Sequence, residues 1–276
     1  MHNGWMAGGT PSRRSGGPVA AAAAVALLMA ASVGGQTGFK APRAADGKAN
    51  LNGIWQAMNT AHWDIEAHPA APGPVDALGA AYAVPGGFGV VDGEIPYKPE
   101  ALAKKKENFA NRLKLDPEIK CYLPGVPRAT YMPYPFQIIQ SQKHVMIIHE
   151  FAGAVRTIYM ADQVEAPADS WMGWSNGRWD GDTLVVDTKG FNGLAWFDRA
   201  GNFATDTLHV VERFTPRSAE TLNYDVTIED PNTFTRPWKM SMPLYRRVER
   251  NAQLTEFRCV EFSEEVIYGH LKKPTE

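Results

Sequence analysis

Two polar side chains stand in an otherwise apolar stretch and could do chemistry together. Between Val145 and Met160 the chain divides at Ala152-Gly153, which reads as a two-residue hairpin loop. That register sets Phe151 opposite Ala154, His149 opposite Arg156 and Ile147 opposite Ile158. Side chains alternate along a strand, so Val145, Ile147, His149, Phe151, Arg156, Ile158 and Met160 share one face. An imidazole and a guanidinium on an apolar wall can orient an anionic or carbonyl group of a ligand. The guanidinium also lowers the His149 pKa, leaving a neutral base near pH 7. The opposite face carries Met146, Ile148, Glu150, Val155 and Thr157, which makes Glu150 the alternative acid. The plainer arrangement puts one polar set in solvent and makes the other a satisfied core pair.

A second group lies further along. Trp171, Trp174, Trp179, Trp196 and Phe197 occur among Asp180, Asp182, Asp187 and Asp198. Rings that stack and carboxylates that accept hydroxyl protons suit a sugar or an aromatic ligand, and two such carboxylates can form a glycosidase pair. The competing account is an Asp-rich turn beside core tryptophans. Tyr131 and Tyr134 join Arg156, Trp171, Trp174 and Trp179 as expected ligand contacts, with His149, Glu150, Asp182 and Asp198 as the expected acid–base set. Gly173-Trp-Ser175-Asn-Gly177 matches the hydrolase elbow pattern, but that elbow needs a helix after it, and a hairpin follows here. His62, Asp64, Glu66 and His68 would share one face of a strand, yet positions six apart are about 20 Å apart, too far for one ion. A solvated edge accounts for them, and no metal or cofactor is expected. His209 and Glu212 have opposite parity and form no dyad on a regular strand.

The elements that must position these groups are mostly strands. Leu51–Met58, Phe136–Gln140, His144–Phe151, Ala154–Met160, Gly177–Trp179, Asp182–Thr188, Thr207–Thr215, Thr221–Glu229, Arg236–Arg246 and Gln253–Phe262 all read as β, with Asp180-Gly181 a hairpin turn. No helices alternate with them, which excludes a parallel α/β sheet. Lys98–Lys114 is the one convincing amphipathic helix, with Pro99 at its start and Leu102, Phe109 and Leu113 on one stripe. The sixty residues before the main strands are rich in Ala, Gly and Pro and read as long loops. The expected fold is mainly β: an antiparallel up-and-down barrel with one amphipathic helix and long N-terminal loops outside.

Gly53-Ile54-Trp55 resembles the lipocalin and calycin Gly-x-Trp signature, in which the tryptophan closes the barrel floor under an arginine from the last strands. The resemblance implies Arg258 for that arginine. Cys121-Tyr-Leu-Pro-Gly-Val-Pro-Arg, Tyr131-Met-Pro-Tyr-Pro-Phe, His149-Glu-Phe-Ala-Gly, Trp171-Met-Gly and Gly177-Arg-Trp-Asp-Gly-Asp-Thr-Leu-Val-Val-Asp-Thr resemble a family of uncharacterised exported bacterial proteins. That likeness spans most of the mature chain and implies export and a single domain, but no activity.

Composition bounds the rest. Of 276 residues, 44% are hydrophobic and 21% charged, which excludes a disordered chain. The net charge of −2, with basic residues scattered, gives no nucleic-acid footprint. Arg13 and Arg14 precede an Ala/Val/Leu/Met run from Pro18 to Val33, so residues 1–35 read as a signal peptide, 36–50 as a linker and 51–276 as one barrel domain. The run is short of a bilayer span, and no stable membrane insertion is expected. The protein is then periplasmic or secreted. There, Cys121 and Cys259 are expected to bond, the alternative being two buried thiols. The first function expected is binding of a mid-sized, partly apolar small molecule in the barrel cavity. The alternative is a hydrolase, lyase or isomerase working there through His149, Arg156 and carboxylates. A third is a structural protein without a ligand.

Overall fold

The computed structural model describes residues 39–73, 75, 78, 83–161, 163 and 165–271; the expected signal peptide lies outside the described residues. Nine strands close into a barrel: β1 (Gly53–Ala57), β2 (Phe136–Gln140), β3 (His144–His149), β4 (Val155–Tyr159), β5 (Trp174–Asp180), β6 (Thr183–Lys189), β7 (His209–Pro216), β8 (Thr221–Glu229) and β9 (Trp238–Arg246). Each strand pairs with its neighbours in sequence, and β9 returns to β1 through Gln56↔Tyr245. The pairing is antiparallel except at β4 and β5, which run parallel through Ile158↔Ser175 and Tyr159↔Asn176. The up-and-down order is therefore mixed at one joint. The segment 160–173 has the dozen or so residues that a parallel connection needs.

Period-two alternation sets the inside. On β8, Leu222, Tyr224, Val226 and Ile228 are buried and alternate with half-buried residues, and on β9 Trp238, Met240, Met242 and Leu244 are buried and alternate with exposed ones. With Trp55, Phe136, Ile147, Ile158 and Phe214 they form one continuous core.

Both hairpin registers differ from expectation by two residues. Between β3 and β4 the loop is Glu150–Gly153, and Ile147 faces Arg156. Ala152 and Gly153 both adopt positive φ, at 56° and 58°. Between β5 and β6 the turn is Gly181-Asp182, so Asp180 faces Thr183. A slip of two leaves every side chain on its expected face.

The Gly-x-Trp end has a clear physical basis. Trp55 donates from its indole nitrogen to the Leu51 carbonyl at 2.9 Å. The Arg246 guanidinium lies 4.2 Å over its ring and donates to the Asn52 carbonyl at 2.6 Å and the Ala219 carbonyl at 2.9 Å. A Cβ at Gly53 would fall 2.1 Å from an Arg246 nitrogen, and Gly53 has φ 143°, so only glycine fits. The arginine is thus Arg246, the last residue of β9, and the assignment to Arg258 is corrected. Arg258 has 82% of its side chain exposed and pairs with Glu256. The expected strand Gln253–Phe262 is absent because β9 already pairs with β1, leaving no edge for a tenth strand.

Outside the barrel lie α1 (Pro99–Ala110), α2 (Arg112–Leu115), a 3₁₀ turn Pro117–Lys120, α3 (Arg128–Tyr131) and α4 (Ser263–Tyr268). The expected helix 98–114 breaks at Asn111. Its inward residues are Ala101 and Asn108, while Leu102 and Phe109 are exposed. The cause is a direct backbone approach: a Cβ at Gly201, φ 85°, would meet Phe109 N at 2.7 Å. Asn108 donates to the Gly201 carbonyl at 3.3 Å. Residues 39–50, read as linker, lie on the barrel, with Ala49 buried and Arg43 paired to Asp182. Cys121 and Cys259 form a disulfide with Cα atoms 5.7 Å apart. No described helix is long and apolar enough to cross a membrane.

Candidate functional site

The barrel interior holds the expected pair, with Arg156 already bound within the fold. Arg156 is 2% exposed and donates to Ser175 Oγ at 2.8 Å, Thr188 Oγ1 at 2.7 Å and both Glu212 oxygens, one at 3.0 Å. The Tyr224 hydroxyl donates to Glu212 Oε1 at 2.7 Å. Glu212, Ser175, Thr188 and Tyr224 are all buried. Four of the five N–H donors of Arg156 are therefore taken inside the fold. Ser175 hydrogen-bonds within this network from the start of β5, with strand and not helix after it, and is no hydrolase elbow. His149 is buried beside Phe136. Burial, then the Arg156 charge, pushes its pKa down to about 3. Neither ring nitrogen has a hydrogen-bond partner.

The other expected residues are dispersed. Glu150 accepts the Thr255 backbone N–H at 2.7 Å. Asp182 is half-exposed against Arg43. Asp198 is buried, accepting from Ile65 N, Ala200 N, Asn202 N and Asn202 Nδ2 at 2.6–3.1 Å. Burial and the nearby Asp64 carboxylate push it up to about 7 against those donors. Each of these carboxylates serves a separate local structure, so the four acid–base candidates do not converge on one point. Tyr131 is buried and donates to the Phe197 carbonyl at 2.9 Å. Trp174 stacks on Tyr159 at 4.7 Å on the barrel wall, and Trp179 packs against the core. Trp171 lies against Tyr122 in an open groove. The residues 62–68 form turns: Asp64 accepts Glu66 N at 2.9 Å, Glu66 pairs with Lys105, and His68 contacts the carbonyls of Glu66 and Pro85.

A cleft opens where these turns, α2 and the C-terminal segment meet. One lobe, of about 210 Å³, is lined by Trp63, Asp64, Val84, Phe109, Arg112 and Leu113 among others. The other, also about 210 Å³, is lined by Tyr134, Phe151, Phe257, Val260 and Phe262 among others. Leu113, Ile119, Arg199 and Glu264 line both, so these residues divide one cleft into two lobes. Tyr134, expected as a ligand contact, is in the second lobe, with Phe151 at 5.6 Å and Phe257 at 5.0 Å.

The floor is a charge network. Arg128, 1% exposed, donates to both Asp116 oxygens at 2.8 and 3.0 Å and to Glu118 at 2.6 Å. Arg199 grips Glu118 with two nitrogens at 2.8 Å each, reaches Glu264 Oε1 at 3.1 Å and covers Trp63 at 4.6 Å. Burial alone would raise the Glu118 carboxyl, but Arg199 and Arg128 outweigh it and hold it at about 2. His62 is driven down to about 4, first by burial, and its Nδ1 has no partner. Burial raises the Asp64 carboxyl.

Arg112 differs from the other two arginines. It is half-buried and donates to the Phe109 carbonyl at 2.9 Å, with its guanidinium 4.3 Å over the Phe109 ring. Among the described residues it has no ion pair, and desolvation lowers its pKa. Such a cation in an apolar wall is what an anionic or carbonyl head group needs.

Sequence reasoning did not single out Arg112, which falls inside the expected helix Lys98–Lys114. The only available signal was a cation one position from the apolar Leu113. Compared with known proteins, the chain matches no family model and no curated protein.

Proposed function

We propose that this protein is an exported barrel that binds a mid-sized, largely apolar small molecule with one anionic or carbonyl group. The site is the cleft at the barrel end rather than the barrel interior. The observation that carries this reading is Arg112: a half-buried guanidinium without a carboxylate partner among the described residues, beside Trp63, Phe109 and Leu113. Export is supported by the charged and apolar segments of residues 1–35 and by the disulfide.

The test is a fluorescence titration with 1-anilinonaphthalene-8-sulfonate, which joins an apolar body to one anionic group. The wild type should bind it saturably. Arg112→Gln should weaken binding about 10- to 100-fold, the scale of a charged hydrogen bond. Equal binding by both proteins would overturn the reading.

The alternative is an enzyme in the same cleft, favoured by one observation: Asp64 lines it with a carboxyl that burial holds above its usual range. Such a group suits general acid–base work in a hydrolase, lyase or isomerase. Asp64→Asn would then bind the probe as the wild type does while losing any turnover.

A further inference from the structure

We propose that Glu264 stands in for the head group of the ligand, so that the cleft takes amphiphilic monocarboxylates, which bind by displacing Glu264 from Arg199. This rests on the cleft being the binding site.

The charges of the cleft lead to that assignment. Arg199 spends Nε and one Nη on Glu118, which is fixed from below by Arg128. Its remaining Nη points to the cleft and holds Glu264 at 3.1 Å. Arg112 lines the same lobe and feels the Glu264 charge. Arg258, Asp64 and Glu265 also line the lobes. Arg128 and Arg199 are thus paired with three carboxylates, Asp116, Glu118 and Glu264, beside Arg112, which has no ion pair among the described residues. Two of those carboxylates are buried and built into the floor. Glu264 alone comes from a peripheral segment. When it leaves, Arg199 loses one carboxylate partner, and a monoanion replaces it. A carboxylate reproduces the hydrogen bond geometry that Glu264 makes.

The segment is built to leave. Glu264 lies on α4, which has no buried residue, and Val266, Ile267 and Val260 are exposed. Upstream, the disulfide at Cys259 and the bond from Phe262 N to the Ile119 carbonyl at 2.8 Å keep the chain attached. Release of α4 therefore leaves the second lobe's wall at Phe257 and Cys259 in place. It removes the Arg199–Glu264 division between the lobes. An alkyl or aryl body held under Phe109 and Leu113 then extends toward Phe257 and Tyr134.

The experiment compares the full mature chain, Glu264→Gln and the control Glu261→Gln, titrated calorimetrically with decanoate and decanol. Glu261 is exposed and two residues past the disulfide, so it matches the charge change. The expected result is decanoate binding at least threefold tighter to Glu264→Gln than to the wild type and the control. Decanol should bind all three within twofold. Hydrogen exchange supplies the second readout. The Val266 amide, bonded to the Phe262 carbonyl at 2.9 Å, should exchange faster when the wild type is saturated with decanoate. Decanoate binding that Arg112→Gln weakens, with no gain from Glu264→Gln or with Val266 protected, overturns the displacement and leaves the cleft. No binding of decanoate to either the wild type or Glu264→Gln overturns both.

Discussion

The barrel interior and the end cleft each place arginine among apolar side chains, and they use it in opposite ways. Arg156 sits at the centre of a closed set: Ser175, Thr188 and Glu212 take its donors, and Tyr224 takes the remaining reach of Glu212. Arg112 gives one bond to the Phe109 carbonyl, across the break between α1 and α2, and faces an open lobe. Apolar surroundings alone therefore do not identify a binding site. The deciding property is whether the donors of the buried cation are already spent. A spent pair orders a core, whereas an unspent one attracts a ligand.

The sharpest way to break this contrast is to remove one half of the internal pair. Arg156→Met leaves Glu212 and the Tyr224 hydroxyl in a dry interior and should cost about 3–5 kcal/mol of unfolding free energy. Chemical denaturation measures it. The double change Arg156→Met with Glu212→Leu should cost less than the single one, because no charge is stranded. Probe binding by the folded protein should be unaltered. A loss of binding without a loss of stability would return the site to the interior.

The next effect is in the pH dependence. His149 has a folded pKa of about 3, below the unfolded value of 6.5, so the unfolded chain takes up a proton that the folded one refuses. Its contribution is complete above pH 6.5 and is lost as pH falls through that window. His149→Leu should therefore gain on the wild type by about 1.4 kcal/mol per pH unit between pH 6 and 4. Urea midpoints at several pH values measure the difference. A constant offset would mean that His149 is charged inside the fold. Glu118 behaves differently, since its folded pKa of about 2 lies below the usual carboxylate value. Its contribution persists above about pH 4.5 and disappears only in stronger acid.

A smaller effect belongs to the barrel floor. Arg246→Ala removes the cation over Trp55 and two carbonyl bonds and should cost about 2 kcal/mol. Arg258→Ala should stay within about 0.5 kcal/mol, as for an exposed pair. Thermal unfolding of both variants decides between the two arginines. Equal losses would reject the Arg246 assignment.

The barrel was legible because its strands obey a period of two and its turns carry glycine. Those signals survive a misplaced turn: assigning Ala152-Gly153 as the whole loop displaced the register by two residues and still put His149 and Arg156 inside. What alternation cannot show is where a chain stops pairing. Gln253–Phe262 alternates well enough, but barrel closure by β9 leaves it no neighbour, and Arg258 followed that error. The cleft was not legible. Its walls come from turns without periodicity at 62–72 and at Val84, a helix broken by the close approach of Gly201, and a tail fixed by a disulfide. Those contacts join residues far apart in the chain, and only Tyr134 of the expected ligand set lines it.

The smallest stability effect sharpens the contrast most. Arg112 makes one hydrogen bond to the Phe109 carbonyl and covers one ring. Among the described residues it has no ion pair to lose, and burial already disfavours its charged form. Arg112→Gln should therefore change unfolding free energy by no more than about 0.5 kcal/mol, as expected away from core, cap and buried pair. The same substitution should weaken the sulfonate probe by an order of magnitude or more. Arg156→Met has the reverse profile, a large stability loss with binding retained. Measuring both variants by denaturation and by titration gives two losses that do not track each other. If Arg112→Gln destabilised the fold as strongly as it weakened binding, its guanidinium would be structural like that of Arg156, and the cleft would lose its anchor.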